Sequence, residues 1–354
     1  MKTKILTTFN EFYQCKDLYG VILSQMDSKI ENVYLLYEWH KIWLEARGDL
    51  VEPLIVTVYD GDVLFALFPL CARKEKIGNF PFLSLEYIGA KDANYGQFLI
   101  RPGVDKNEVF NEFFKALQGL WNNHWFFFTL PVLLSDSLET KIFREVSMAA
   151  HFLSEGNFIG APFIKINGDW DWYIKKYVKK KLRKDLIRQG NNAIKEFGEI
   201  KIEKADKDDL ERFFEMHIQE WQSRGEKSRY LEQENKEFEK KLLAGFEFSD
   251  FAKLKFGNQT VAYHIGYKYK GHFYYTRPTF DLRFAHLSPG KLLLAELIKR
   301  EIERGAKIFD LGRGSNEYKY WFGNEELPLI ALRIYKSRIL FLISKFFQFI
   351  RKWK

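Results

Sequence analysis

Apolar residues recur along this chain in two rhythms, and the switches between them lay out its elements. Leu54 to Leu70 (LIVTVYDGDVLFALFPL) is a pair of β-rich runs around Asp60-Gly61, a strong hairpin signal. A strand follows near Leu83 to Ile88, then the polar loop Gly89 to Gly96, a short strand from Gln97 to Ile100, a helix over about Lys106 to Asn122, and the strand HWFFFTLPV from His124. The first fifty residues read as helical, with an aromatic face over Val33 to Trp43.

The second half returns to the same order. A long amphipathic helix is predicted over Trp170 to Phe197, others over Asp208 to Trp221 and Gln233 to Ala244. Phe251 to Tyr269 is a hairpin around Gly257-Asn258, and Lys270-Gly271 turns the chain into the aromatic strand His272 to Phe280. Ser288-Pro289-Gly290 then opens a helix whose apolar face carries Leu292, Leu293, Leu294, Leu297 and Ile298, and a short strand ends at Asp310 before a glycine-rich turn. Residue identity between the halves is slight, so the repeat is one of element order, which points to two similar α+β units.

With 354 residues, 46% hydrophobic and 17% aromatic, the chain has enough apolar material for a large core and two domains. Its net charge is +8, but the last 24 residues hold seven basic side chains and no acid, so the rest carries only +1. The basic character belongs to the tail and suits a local anionic partner more than a nucleic-acid-binding body. Cys15 and Cys71 form neither a disulfide framework nor a zinc spacing, and the expectation is a reduced, cytoplasmic setting. No run approaches the roughly 20 apolar residues that span a bilayer. No His, Cys and carboxylate set has metal spacing, and there is no Gly-x-Ser-x-Gly elbow, so neither a metal nor a serine nucleophile is expected.

At Ser288-Pro289-Gly290, Asp310-Leu311-Gly312-Arg313-Gly314 and Tyr318-Lys319 the sequence resembles the CelD-like and Fem-like branch of the GNAT acyltransferases. Supporting features run from Asp169 to Trp321: Trp170, Trp172 and Tyr173, the basic stretch Lys181 to Leu186, His217, Trp221, Arg224-Gly225, Val261-Ala262 and Asp281. The first half resembles the degenerate GNAT-like domain of tandem proteins. The resemblance implies an α+β fold of two GNAT-like domains in tandem, each a mixed twisted sheet flanked by helices: residues 1–165, 166–330, and a basic amphipathic tail over 331–354. It further implies that the sheet splays between His272–Phe280 and Lys307–Asp310 to admit the pantetheine arm of an acyl-CoA, with an amine attacking the thioester directly. Backbone donors at Ser288, Gly290, Lys291 and Leu292 would face the donor's phosphates. The family's pyrophosphate loop has two small residues, whereas this chain has one glycine and a proline that removes a donor. Fem-type relatives take an aminoacyl-tRNA instead, so the donor is acetyl-CoA, another acyl-CoA or a charged tRNA.

Several side chains are candidates for the chemistry. His264, with Ala262 and Gly266 on its face of the strand, is either the general base or a hydrogen-bonded structural histidine. Asp281, just past an aromatic strand, is either a proton acceptor or an Asx turn. Asp310 suits its own turn's N–H groups, and Arg313 suits bidentate binding of a carboxylate or phosphate. Tyr318 and Lys319 contribute, by resemblance, to the acceptor side or to the fold of the cleft; as plain sequence they are part of an aromatic amphipathic segment. Trp221 and Arg224 either wall the acceptor pocket or end a helix capped by Gly225. The eight basic residues between Lys175 and Arg188 make a solvated face or a phosphate contact. Asp92 and Tyr95, with Asn94, occupy the matching loop of the first half.

Residues 337–354, SRILFLISKFFQFIRKWK, place cations opposite a broad apolar face, the pattern of a helix lying in an anionic membrane surface or, alternatively, of a terminal helix docked on the body or on a second copy. The expected function is N-acylation of an amine on a small-molecule or lipid-linked acceptor, such as a sugar or cell-envelope precursor, at the inner face of the cytoplasmic membrane. The alternatives are a tRNA-dependent aminoacyltransferase and a silent membrane-attached scaffold.

Overall fold

The computed structural model describes residues 1–26, 32–77, 80–120, 125–314 and 316–352. The predicted helix end at Asn122 and strand start at His124 lie outside them. By internal contacts the chain divides into two compact units, residues 1–159 with 328–354, and residues 160–327.

The first unit begins with a strand where a helix was expected, β1 (Lys2–Leu6). Short helices α1 (Phe9–Tyr13), α2 (Lys16–Leu23) and α3 (Tyr37–Glu45) follow. Strands β2 (Val51–Asp60) and β3 (Val63–Ile77) form the predicted hairpin, with Gly61 at φ +57°, a conformation that costs a glycine little. Next come β4 (Phe80–Tyr87), β5 (Leu99–Ile100), α4 (Lys106–Gly119), β6 (Trp125–Leu134) and α5 (Leu138–Ala149). The Asp105 carboxylate caps α4 by accepting the Asn107 N–H, and the α4 face formed by Val109, Phe110, Phe113, Phe114 and Leu117 is buried. These rings join Phe68, Phe98 and Phe143 in one aromatic core, with Phe68 and Phe113 stacked at 4.2 Å. Each such buried ring contributes about 2 kcal/mol through the surface it removes from water.

The second unit follows β7 (Leu153–Lys165). The helix expected over Trp170 to Phe197 is two helices, α6 (Trp170–Tyr177) and α7 (Lys180–Phe197), because Val178 turns extended and buries its side chain. Then come β8 (Ile200–Lys204), α8 (Leu210–Ser223), α9 (Gln233–Gly245), β9 (Ser249–Phe256), β10 (Gln259–Tyr269), β11 (His272–Phe280), α10 (Pro289–Glu303), β12 (Ile308–Asp310) and α11 (Glu317–Phe322). Strand β13 (Glu325–Tyr335) and helix α12 (Arg338–Lys352) close the chain.

Both units repeat one scheme of strand pairing. In the first, β1, β2, β3 and β4 are successive antiparallel neighbours, β4 runs parallel to β6, and β6 is antiparallel to β13. In the second, β8, β9, β10 and β11 are successive antiparallel neighbours, β11 runs parallel to β12, and β12 is antiparallel to Phe163–Lys165 of β7. The first unit's strands are therefore completed by β13, which comes from beyond the second unit in sequence, while the second unit's are completed by the end of β7, at that unit's own start. Residues 331–335, expected in the tail, instead belong to β13, whose Ile330, Leu332 and Ile334 lie in the first unit's aromatic core.

The start of α12 also rests on the first unit. Phe341 meets the Tyr335 ring edge-on at 5.3 Å, Ser344 Oγ lies 3.1 Å from Tyr335 Oη, and Lys345 Nζ is 2.5 Å from the Glu155 carboxylate. Ile339 and Leu342 remain exposed, at 70% and 56%.

Candidate active site

In the second unit the parallel pairing of β11 with β12 covers three residues: His272, Phe273 and Tyr274 stand opposite Ile308, Phe309 and Asp310. There β12 ends, while β11 runs on to Phe280. Beyond Tyr274, among the described residues, that edge of β11 has no strand beside it. Its peptide groups can take an extended molecule as an added strand.

On its other edge β11 carries a bulge. Gly266 stands opposite Tyr275 and Ile265 opposite Arg277, which leaves Thr276 as the extra residue. His264 holds it: Nε2 accepts the Thr276 N–H at 3.2 Å, and the imidazole stacks on the Tyr275 ring at 4.6 Å, 4° from parallel. A nitrogen that accepts carries no proton, so the ring is neutral. It is fully buried, and burial pushes its pKa down to about 3. His264 is therefore not placed to act as the expected general base; it supplies an acceptor to a bulged N–H. The small residue beside it does not leave a gap, because a Cβ on Gly266 would sit 2.3 Å from both His264 Cε1 and the Tyr274 carbonyl oxygen.

This neutrality has a cost in acid. His40 in the first unit is likewise buried, accepts or donates with Tyr19 Oη at 2.9 Å, and is pushed by burial to about 3. Between pH 6.5 and about 3 the unfolded histidine binds a proton that the folded one does not, so stability falls as pH drops through that window. At pH 5 each of these two histidines should lower stability by about 2 kcal/mol relative to pH 7. Urea titrations at the two pH values check this; equal midpoints would contradict it.

A buried carboxylate does face the open end of β11. Glu220, on α8, accepts the Thr279 hydroxyl at 2.9 Å and the Phe280 N–H at 3.4 Å, and its other oxygen pairs with the Arg224 guanidinium. Burial raises its pKa above the ordinary glutamate value, against the lowering charge of Arg224. The phenols of Tyr275 and Tyr318 lie within electrostatic reach of Glu220, and burial lifts Tyr318 to about 12. Glu220 was missed in the sequence reading. The signal was there: Phe213, His217 and Glu220 share one helix face by their spacing, and all three are buried.

Asp281 sits at the end of β11 as expected, but its carboxylate is fully engaged. It accepts the Arg283 N–H and guanidinium at 2.7 to 3.1 Å and the Arg212 guanidinium at 2.7 Å. Burial alone would raise its pKa; the bonds and charge of Arg283, with Arg212 behind them, hold it below the usual carboxylate range. It is a turn acceptor and a poor proton acceptor.

After β12, Asp310 Oδ1 accepts the Gly312 N–H at 2.7 Å, in a turn that takes Gly312 and Gly314 to φ +75° and +109°. Lys319 is buried beneath it, donating to the Gly312 and Arg313 carbonyls at 3.2 and 2.6 Å; burial lowers its pKa to about 8, against the charge of Asp310. Lys319 thus holds the turn that displays the half-buried Arg313. Arg224 and Gly225 end α8 in a Schellman motif, with Glu226 N–H to the Trp221 carbonyl and Gly225 N–H to the Gln222 carbonyl, both at 3.0 Å. The helix-end reading therefore holds, with Arg224 also pairing with Glu220, while Trp221 stacks on His217 at 5.2 Å.

The start of α10 differs from the expected phosphate cradle. Ser288 adopts φ +53° and gives no side-chain cap. Its N–H is taken by the Ala285 carbonyl at 3.0 Å, and the N–H groups of Lys291 and Leu292 both go to the Ser288 carbonyl, at 3.0 and 3.2 Å. Of the four expected backbone donors, three are already used, which leaves Gly290. The side chain of Lys291 reaches instead toward α7, where it pairs with Asp185 at 3.1 Å beside a cavity of about 780 Å3.

In the first unit Asp92 and Tyr95 are core residues and not an open acceptor loop. Asp92 accepts Trp43 Nε1 at 2.6 Å and the Arg47 guanidinium at 2.7 Å, both side chains of the ion pair being almost wholly buried, and Tyr95 packs edge-on against Tyr34 at 6.0 Å.

Residues 180–320 match the model of the acetyltransferase (GNAT) domain family. No curated protein matches the sequence. Among solved structures, FemX is 12% identical over 96% of this chain and 99% of its own, with a TM-score of 0.63. A tandem GNAT protein from the clavulanic acid biosynthesis pathway is 10% identical over 94% of this chain and 98% of its own, TM-score 0.51. The glucosamine N-acetyltransferase region of a fungal multi-domain beta-N-acetylglucosaminidase is 9% identical, TM-score 0.52, and the match covers 94% of this chain and 38% of that one. Residues 180–320 thus match the GNAT acetyltransferase domain family, in a chain whose fold is similar to those of FemX and a tandem GNAT protein.

Proposed function

We propose that the protein transfers an acyl group, acetyl from acetyl-CoA, to an amine of a sugar or other cell-envelope precursor. The observation that carries this reading is the open edge of β11 running into the buried Glu220 within the matched domain. The thioester arm lies along that edge, whose peptide groups hold it as a strand would. The amine's lone pair attacks the thioester carbonyl carbon, the nitrogen's proton passes to the Glu220 carboxylate, and collapse of the tetrahedral adduct breaks the carbon–sulfur bond. Tyr318, kept protonated by burial, is the O–H donor to the departing thiolate. The sugar acceptor draws its support from the relative that acts on glucosamine. Thiol release from a panel of acyl-CoAs with amino sugars, followed by mass spectrometry of the product, tests the reading; no release with any pair would overturn it.

A second reading, transfer from an aminoacyl-tRNA, is favoured by the spent N–H groups at the start of α10. Retention of charged tRNA with no thermal shift by acetyl-CoA would select it.

The protein works at the inner face of the cytoplasmic membrane, held by residues 337–354. The exposed Ile339 and Leu342 and the absence of acidic residues in that segment support this. Removing residues 337–354 should release the protein from anionic vesicles in a co-sedimentation assay, and undiminished binding would sink the idea.

A further inference from the structure

Five cations converge on the cavity beside α10: Lys179, Lys181, Lys184 and Arg188 from α7 and the residue before it, and Lys291. Against them stand Asp185 and Glu317. Asp185 already serves both Lys291, at 3.1 Å, and Arg188, at 2.6 Å, and the hydrogen bond from Lys291 lowers its pKa. Among the described residues no carboxylate pairs with Lys179, Lys181 or Lys184, so the cavity keeps an excess of positive charge.

The placement of those lysines works against the helix that carries them. The first turn of α7 contains Lys180, Lys181 and Arg183, no acid and no capping side chain, although the positive end of a helix dipole favours acids there. An anion in the cavity removes that conflict. Leu182 and Trp321 supply an apolar wall beside the charges. The cavity is nucleotide-sized, and the chain outside its tail carries a net charge of only +1 (+8 less seven), which gives no broad field for a long polyanion.

We infer that this cavity seats the phosphorylated nucleotide end of the donor, gripped by lysine and arginine side chains in place of the backbone loop that α10 no longer offers. The inference rests on the acyl-CoA reading above and adds where and how that donor's charge is held. The test is calorimetric titration of the full chain with ADP and with CoA, comparing the Lys181→Glu, Lys184→Glu double variant with a control reversal at Lys240 on α9. The double variant should bind both nucleotides at least about tenfold more weakly, the control should match the parent, and the parent's affinity should fall steeply with added salt. Equal affinity in parent and double variant would overturn the inference, as would a parent that binds neither nucleotide. A parent that ignores nucleotides but binds an RNA acceptor-stem duplex through the same lysines also overturns it, in favour of an RNA donor. Lysine-dependent ADP binding without acyl transfer from any acyl-CoA would uphold the cavity's role and remove the transfer reading instead.

Discussion

A chain ended at Leu327 should lose its first unit and keep its second. That cut removes Pro328 to Tyr335 of β13, the part that pairs with β6 through Leu329 to Tyr335 and buries Leu329, Ile330, Leu332, Ile334 and Tyr335. Losing five buried side chains at about 2 kcal/mol each, and opening a sheet edge, removes about 10 kcal/mol, as much as a whole domain's net stability. Limited proteolysis should therefore cut within residues 1–159 while residues 160–327 resist. A chain ended at Lys336 keeps β13 entire and should resist throughout. Matching digestion patterns for the two truncations would show that the strand is dispensable.

Replacing Glu220 with Gln should lower kcat by about 10² to 10⁴, the range a positioned general base supplies. The amide keeps a hydrogen-bond acceptor for Thr279 Oγ1 and the Phe280 N–H, so the fold should survive. The rate should also lose its acid limb, because the group whose protonation switches activity off is gone. His264→Gln makes the opposite case: it breaks the bulge contact at Thr276, so thermal stability should fall first. If His264→Gln abolished turnover without loss of stability while Glu220→Gln left it intact, the assignment of the base would be reversed.

Local rules carried much of the architecture. The hairpins at Gly61 and Gly257 and the strand His272–Phe280 follow from turn chemistry and alternation, and α4 follows from its apolar spacing. What escaped were the strands that depend on distant partners. Strand β7 contains Gly156, Gly160 and Pro162, and β13 contains Pro328, residues that weaken any strand signal; pairing with partners distant in sequence makes strands of them. The break between α6 and α7 has neither Gly nor Pro, and burial of Val178 outweighs helix propensity there. At the site the same division holds. The placing of Asp281 at the end of β11 and the cap at Gly225 were local and legible, and so was the Asp310 turn. The solvent state of His264, Asp281 and Asp92 was not, because ring stacking and arginine partners from other elements decide it.

The late arrival of β13 also sets a timetable for synthesis. When residue 159 leaves the ribosome, the first sheet still lacks β13, and about 170 residues must be made before it arrives. At the usual elongation rate that is a wait of roughly 10 to 35 seconds. During that interval β6 presents an unpaired edge rich in phenylalanine, while residues 160–327, which contain the paired end of β7, can finish first. The order of folding therefore runs against the order of translation, and the nascent first half is the species on which chaperone demand should concentrate.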